Sequence, residues 1–514
     1  MLTLNKLTKL YSYLKKYYFN LIQRLILIIC LNGGIYILSA CNGAGTSQQV
    51  QANNTDSMGS TIKTAGNFNN LWNSSFIIQS FQRGAYLVFP HGEKTYAQQF
   101  GANFPDQQSL TPALQPNTFS PALSDGEQII KVKPCYYHYK SPTPDFSSKV
   151  DPKEWFNIAL TNKNHLYYNH SQQQGKQFAW HKLTTSWENR QEIKFNSLAC
   201  YITSGFETSG VEILGDDLDV LDAYIVAVGG IQQGTTNKGY FANGYLQFKK
   251  SDFSSSAYIP TFGWRLATQV SSKNYDTTLR DVAIGYESMA GAEKFEALAV
   301  GQNGAMIRFL LSYKNSPPQY GVFSTRPLTV EEIDTGYFNL NAVAYSTSTQ
   351  RFIFAGNRIM GTSEPGSQKY SPVIPVMSAL NISKDKNIEG NYEKYGPIGV
   401  TSIGCIRSTC LLAIKMENAV DPNQYETKIL KVNLNQTITQ HFQEIQLNSD
   451  YNLEATSPLG YLTPQIYTDN GLERFYVLTS SATKATAQST VYMAKNAETI
   501  VLRPFIATMP TLSR

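Results

Sequence analysis

One short pattern recurs along this chain and restricts its possible folds more than any other feature. An apolar run is followed by a polar turn and then by a second apolar run, usually led by an aromatic residue. The clearest copy lies between Leu279 and Ser312. There Asp281-Val282-Ala283-Ile284 precedes Ala297 to Val300, and Gln302-Asn303-Gly304 supplies Asn-Gly turn chemistry before Met306 to Leu311. Three such runs in succession form a β-meander.

Seven copies can be traced. Their first runs begin at Phe76, Phe156, Leu198, Val282, Val343, Val400 and Tyr461, and their partners at Tyr86, Leu166, Tyr224, Phe295, Phe352, Cys410 and Phe475. Three partners follow a polar-basic pair, Glu293-Lys294, Gln350-Arg351 and Glu473-Arg474. The middle copies share Val-Ala in the first run and a terminal Gly in the second. The partner runs are spaced about 57 to 80 residues apart, which accommodates four-stranded blades with long connections. The predicted fold class is therefore all-β: a β-propeller of seven blades, each a four-stranded antiparallel sheet. A sandwich and paired β-domains are the alternatives. Composition agrees, since charged residues make up 16% of the chain while Tyr numbers 32 and Phe 26, a balance suited to half-buried pleated surfaces. A Pro- and Gln-rich stretch from Ala97 to Gln128 reads as an insertion, and Pro327 to Asp334 as one short helical turn.

The N-terminus carries a different signal. Residues 1–40 contain Lys6, Lys9, Lys15, Lys16 and Arg24, no acidic residue, and an apolar run from Leu25 to Ala40. A spanning helix needs about 20 apolar residues, and this run is shorter and broken by Asn32-Gly33-Gly34. Leu38-Ser39-Ala40-Cys41 resembles the lipobox of bacterial lipoproteins. That resemblance implies a cleaved signal peptide over 1–40, a lipidated Cys41, and a membrane anchor of several acyl chains, each buried methylene contributing about 0.8 kcal/mol. Asn42 stands where an aspartate resembles an inner-membrane retention signal in Gram-negative lipoproteins, so the implied address is the cell envelope and its outer membrane. Residues 41–67 are rich in Gly, Ser, Thr, Gln and Asn, without apolar periodicity, and read as a flexible tether. Residues 68–514 form the predicted propeller domain.

Removing the signal also changes the charge argument. The full chain has 43 basic and 38 acidic residues, and losing the five N-terminal cations leaves 38 against 38. Nothing in that balance favours a nucleic-acid partner. Beyond Cys41, four cysteines remain after the signal. Cys405 and Cys410 are separated by a four-residue hairpin loop that would set them opposite each other, which favours a disulfide in a compartment that permits one. Cys135 and Cys200 are a further pair whose connectivity stays open.

Candidate chemistry is sparse. Asp216, Asp217, Asp219 and Asp222 are the densest acidic group, but no Gly or downstream Glu completes an EF-hand pattern, and a solvated loop is the expectation. His165, His170 and His181 lie close in sequence, yet on one strand the first two would face opposite sides, so structural or exposed roles are expected. There is no Walker loop, His-Glu-x-x-His, Gly-x-Ser-x-Gly or Cys-x-x-Cys pattern. No catalytic residue, metal site or cofactor is therefore assigned.

The copies at Leu279 and Leu340 resemble the repeats of Asp-box and photosystem II assembly-factor-like propellers, which pair a Val-Ala strand with one ending in Ala-Val-Gly. The closing Ser-x-Asp-x-Gly-x-x-Trp of those repeats is missing: Ser312 runs into Tyr-Lys-Asn-Ser-Pro-Pro, and Ser171-Gln-Gln-Gln-Gly175 before Trp180 lacks the aspartate. A sialidase-like hydrolase on such a ring needs an arginine cluster, a tyrosine nucleophile and carboxylates. Its Tyr/Phe-Arg-Ile-Pro stretch is absent, and neither Phe81-Gln82-Arg83-Gly84 nor Arg503-Pro504-Phe505 replaces it. The function expected is a lipid-anchored, non-enzymatic binding or scaffold module for a protein or glycan partner. A glycan-active hydrolase and a host-directed surface adhesin are the alternatives.

Overall fold

The computed structural model describes residues 76–80, 84–91, 94–100, 113–115, 121–135, 156–170, 180–185, 187, 190, 192–204, 220–233, 236–249, 261–266, 277–289, 292–312, 319–327, 339–357, 359–365, 374–375, 395–418, 425–435, 442–445, 459–460, 464–469, 473–482, 487–494 and 503–507. The signal segment, Cys41, the tether, residues 328–338 and Asp216 to Asp219 lie outside them.

Among the described residues, seven antiparallel sheets follow one another along the chain, each with its strands in sequence order. They are blades I to VII, over residues 76–115, 129–183, 193–266, 279–327, 340–375, 395–460 and 465–507. The first strands are Phe76–Ser80, Ile129–Cys135, Ile193–Ser204, Leu279–Met289, Leu340–Ser346, Tyr395–Ile406 and Gln465–Asp469. Each touches the first strand of the next sheet, so the first strands form the inner ring of a β-propeller. On the blade VII side facing blade I, Tyr467 is buried, close to the Ile77 backbone, and donates its hydroxyl to Gln465 Oε1 at 2.9 Å.

Five hydrophobic clusters lie between successive blades from II to VII. Blade IV shows why its strands read as continuous apolar runs. Val282, Ile284, Ala297 and Ala299 pack against blade III, where Phe309 stacks on Phe241 at 3.7 Å between ring centroids. Their neighbours Ala283, Leu298 and Val300 pack against Phe352 and Phe354 of blade V. Both faces are buried, so the alternation of a half-exposed strand disappears.

Three sequence expectations are corrected in detail. Phe156–Thr161 and Leu166–His170 are the second and third strands of blade II; its first strand is Ile129–Cys135, where lysines interrupt the apolar run. The stretch from Ala97 to Gln128 contains part of Lys94–Phe100 and all of Ala113–Gln115, the last two strands of blade I, so it is not wholly an insertion. Asp222 belongs to the strand Val220–Gln233, paired with Thr203 and Gln247, and not to a loop. Blade VI also carries a short fifth strand, Leu459–Gly460.

The recurring sequence details acquire structural reasons. Gln350 and Glu473, the leading members of two polar-basic pairs, sit in the left-handed region at the turn between first and second strands, as does Arg407 in blade VI. Glu293 does not: it pairs with Ser288 inside a longer hairpin. The shared glycines Gly301 and Gly356 face the start of the first strand of their own blade. A Cβ there would collide with the Thr278 or Asn339 carbonyl oxygen.

Candidate functional site

Among the described residues, polar side chains of blades II to VI meet along the inner ring, and a β-bulge builds it. In blades II, IV, V and VI the register of first and second strands slips at Ile129/Lys131, Leu279/Asp281, Leu340/Ala342 and Val400/Ser402, and blade III slips opposite Asn196. A bulged residue has no partner in its own ladder, so its side chain is re-aimed. In blades III to VI that residue is polar and reaches the next blade. Asn196 donates to the Leu279 carbonyl at 2.7 Å, Arg280 to Asn341 Oδ1, Asn341 Nδ2 to the Val400 carbonyl at 3.0 Å, and Thr401 Oγ1 to the Pro464 carbonyl at 2.7 Å.

The residue after the bulge adds a second tie. Ser197 Oγ donates to Asp281 Oδ1 at 2.5 Å, the Val343 N–H donates to Asp281 Oδ2 at 3.0 Å, and the Ile466 N–H donates to Ser402 Oγ at 3.0 Å. Blade V has Ala342 at this position, which offers no side-chain acceptor.

Asp281 is the hub. Only 3% exposed, it joins blades III, IV and V by hydrogen bonds and meets Lys131 Nζ of blade II at 3.9 Å. Burial raises its pKa, but Lys131, Lys133, the Ser197 hydroxyl and the Val343 amide outweigh that and hold it below the usual carboxylate value. Lys133 feels the opposite balance. Burial, together with the neighbouring Lys131, pushes its ammonium down to about 8, and Asp281 restores only part of the difference. Burial also lowers the pKa of Arg280.

Away from this centre, polar groups are engaged blade by blade. Buried Arg308 binds Glu296 within blade IV and reaches blade V at Ser363 Oγ and the Glu364 carbonyl, the latter at 2.9 Å. Arg351 meets Glu364 at 3.1 Å, Arg190 meets Glu192 at 2.5 Å, and Arg407 of blade VI meets Glu473 of blade VII at 2.5 Å. Arg308 and Arg351 thus meet at Glu364 of blade V, while Arg190 and Arg407 have their partners elsewhere.

The histidines flagged by spacing occupy separate settings. His165 lies in the turn after Phe156–Thr161, with Nδ1 2.7 Å from Glu127 Oε1. Burial raises the Glu127 pKa, but hydrogen bonds from Ser124, Thr161 and His165 bring it below the ordinary glutamate value. His181 stacks on Tyr168 at 5.1 Å, and burial lowers its pKa. His170 ends its strand opposite Phe156.

Cys405 and Cys410 face each other across the hairpin and are joined by a disulfide, with Cα atoms 4.1 Å apart. Cys135 and Cys200 form a second disulfide that links the first strands of blades II and III. Sequence reasoning missed the inner-ring set altogether. A usable signal existed: Asn196-Ser197, Arg280-Asp281, Asn341-Ala342 and Thr401-Ser402 stand at one offset before Leu-Ala, Val-Ala, Val-Ala and Ile-Gly.

No protein-family profile matches the chain, and no curated protein matches it. Among solved structures it is similar to the WD40 domain of SCAP from fission yeast, at 9% identity and a TM-score of 0.36, over 86% of this chain and 88% of that one. It is also similar to the Nup133 β-propeller domain of Vanderwaltozyma polyspora, at 11% identity and a TM-score of 0.35, over 69% and 84%. The extracellular domain of a B. thetaiotaomicron two-component-system protein matches at 10% identity and a TM-score of 0.35, over 79% of this chain. The match spans only 37% of that extracellular domain's chain.

Proposed function

We propose that the chain is a lipid-anchored protein of the bacterial cell envelope, attached through Cys41, whose propeller is a non-enzymatic binding module for a protein or glycan partner. The observation that carries this reading is the use of the inner-ring polar residues. Asn196, Asp281, Asn341, Thr401 and Ser402 are engaged in blade-to-blade hydrogen bonds, which gives a stiff frame. A sialidase-type hydrolase requires arginines that converge on one carboxylate. Arg190, Arg280, Arg308, Arg351 and Arg407 are each tied to local partners. The turns at the ends of the blades are left to meet a partner, as loops on rigid scaffolds commonly do. One such turn carries Arg407, whose side chain is 53% exposed.

The detergent-extracted full-length chain provides the test. Radiolabelled palmitate is expected on the wild type and not on Cys41→Ser. The same preparation is expected to bind to a glycan array or to capture an envelope protein reproducibly, without hydrolysing sialosides or other glycosides. Label retained by Cys41→Ser removes the anchor from the proposal, and turnover of any glycoside replaces the binding module with an enzyme.

A further inference from the structure

The inner ring holds more positive charge than its hydrogen bonds require. Lys131 and Lys133 follow the bulge on one strand of blade II and, two residues apart, share a face. Their nearest anion is Asp281, which already accepts from Ser197 and Val343 and lies 3.9 Å from Lys131. Among the described residues, Lys133 has neither an ion-pair nor a hydrogen-bond partner, although its side chain is half-buried. Two cations thus face one carboxylate that already accepts from two neighbouring blades. A partly desolvated cation without a counter-charge is unfavourable, and an anion placed beside it would remove that penalty.

We infer that Lys131 and Lys133 form an anion-binding site at the inner ring that takes a carboxylate- or phosphate-bearing small ligand. Lys133 supplies an ammonium without a partner among the described residues, and Lys131 one that shares Asp281, both suited to either group as point charges. Asp281 holds Lys131 in place and closes the site on the blade IV side. The site is separate from the turns to which the scaffold reading assigns a partner, and it does not depend on lipidation, so either idea can fail without the other.

The test uses the detergent-solubilised full-length chain, titrated calorimetrically with inorganic phosphate and with glucuronate, and with glucose as the uncharged control. Thermal melts in the same ligands provide a second readout. One or both anions are expected to bind with a dissociation constant of about 1 mM or tighter and to raise the melting temperature, while glucose does neither. Binding of phosphate alone marks the site as a phosphate site, and of glucuronate alone as a carboxylate site. Lys133→Met should weaken binding by about tenfold or more, whereas Lys182→Met, which removes one charge from an outer strand of the same blade, should leave it unchanged. Because Lys133→Met removes an unpaired charge, it should fold at least as well as the wild type in the absence of ligand. Its melts therefore separate lost binding from lost structure. The inference is overturned if neither anion binds at about that concentration, if glucose matches them, if Lys133→Met binds as the wild type does, or if Lys182→Met loses as much.

Discussion

Two ion pairs in this protein join neighbouring elements with the same chemistry and very different weight. At the inner ring, Asp281 is almost wholly buried and is held by hydrogen-bond donors from blades III and V and by the Lys131 charge of blade II. At the turn face, Arg407 and Glu473 bridge blades VI and VII at 2.5 Å, with side chains 53% and 35% exposed. The shorter pair is the weaker one, because water competes for both of its charges. The buried carboxylate cannot be released so easily: removing it leaves Lys131 without its counter-charge and the Ser197 hydroxyl and the Val343 amide without their acceptor. The bulge clasp is therefore the structural device of the ring, and the turn-face pair is an accessory to it.

The contrast can be broken at its strongest point first. Asp281→Ala should destabilise the protein by about 3–5 kcal/mol, measured by denaturant unfolding, as expected when one side of a buried charge network is deleted. A loss below about 1 kcal/mol would make the inner ring no different from the turn face. Gly356→Ala comes next. Its methyl group would meet the Asn339 carbonyl beside the bulge, so a loss of roughly 1–3 kcal/mol is expected from the overpacking. A neutral result would mean that the bulge moves freely to make room.

A pH series sharpens the same comparison. Lys133 titrates at about 8 in the folded protein against 10.5 in the unfolded chain. Between those values the unfolded chain binds more protons, so stability rises with pH. Below about 8 the cost of the buried ammonium is fully present. Wild type should gain stability on the order of 2 kcal/mol between pH 8 and 10.5 relative to Lys133→Met, in paired thermal or denaturant melts. Parallel curves for the two proteins would contradict that placement of Lys133. The smallest effect belongs to Arg407→Ala, expected to cost less than about 1 kcal/mol and to cost less still at high salt.

The architecture was legible in the sequence where both sheet faces are apolar. Val282 and Val343 headed runs whose periodicity and terminal glycines followed from burial against two neighbouring blades, and Cys405 and Cys410 occupied opposite ends of a readable hairpin. Blade II was misplaced by one strand for a physical reason. Its innermost strand carries Lys131 and Lys133 toward Asp281, so it lacks the apolar run by which its counterparts are recognised. The inner-ring site was not legible, although its residues recur at one offset. Asn196, Arg280, Asn341 and Thr401 share a place in a bulge but not a side-chain class, since an amide, a guanidinium and a hydroxyl all reach the next blade. Which donor meets which acceptor depends on how neighbouring blades stand to each other, and no local pattern records that.

Amide hydrogen exchange at two equivalent positions tests the clasp most directly. The Val343 N–H is held by Asp281, and the Ile466 N–H by Ser402 in a clasp that does not involve that carboxylate. In Asp281→Ala, exchange at Val343 should accelerate well beyond the change in global stability, while Ile466 should follow global stability alone. Equal acceleration at both positions, or none at Val343, would show that the side-chain clasp does not hold one blade to the next.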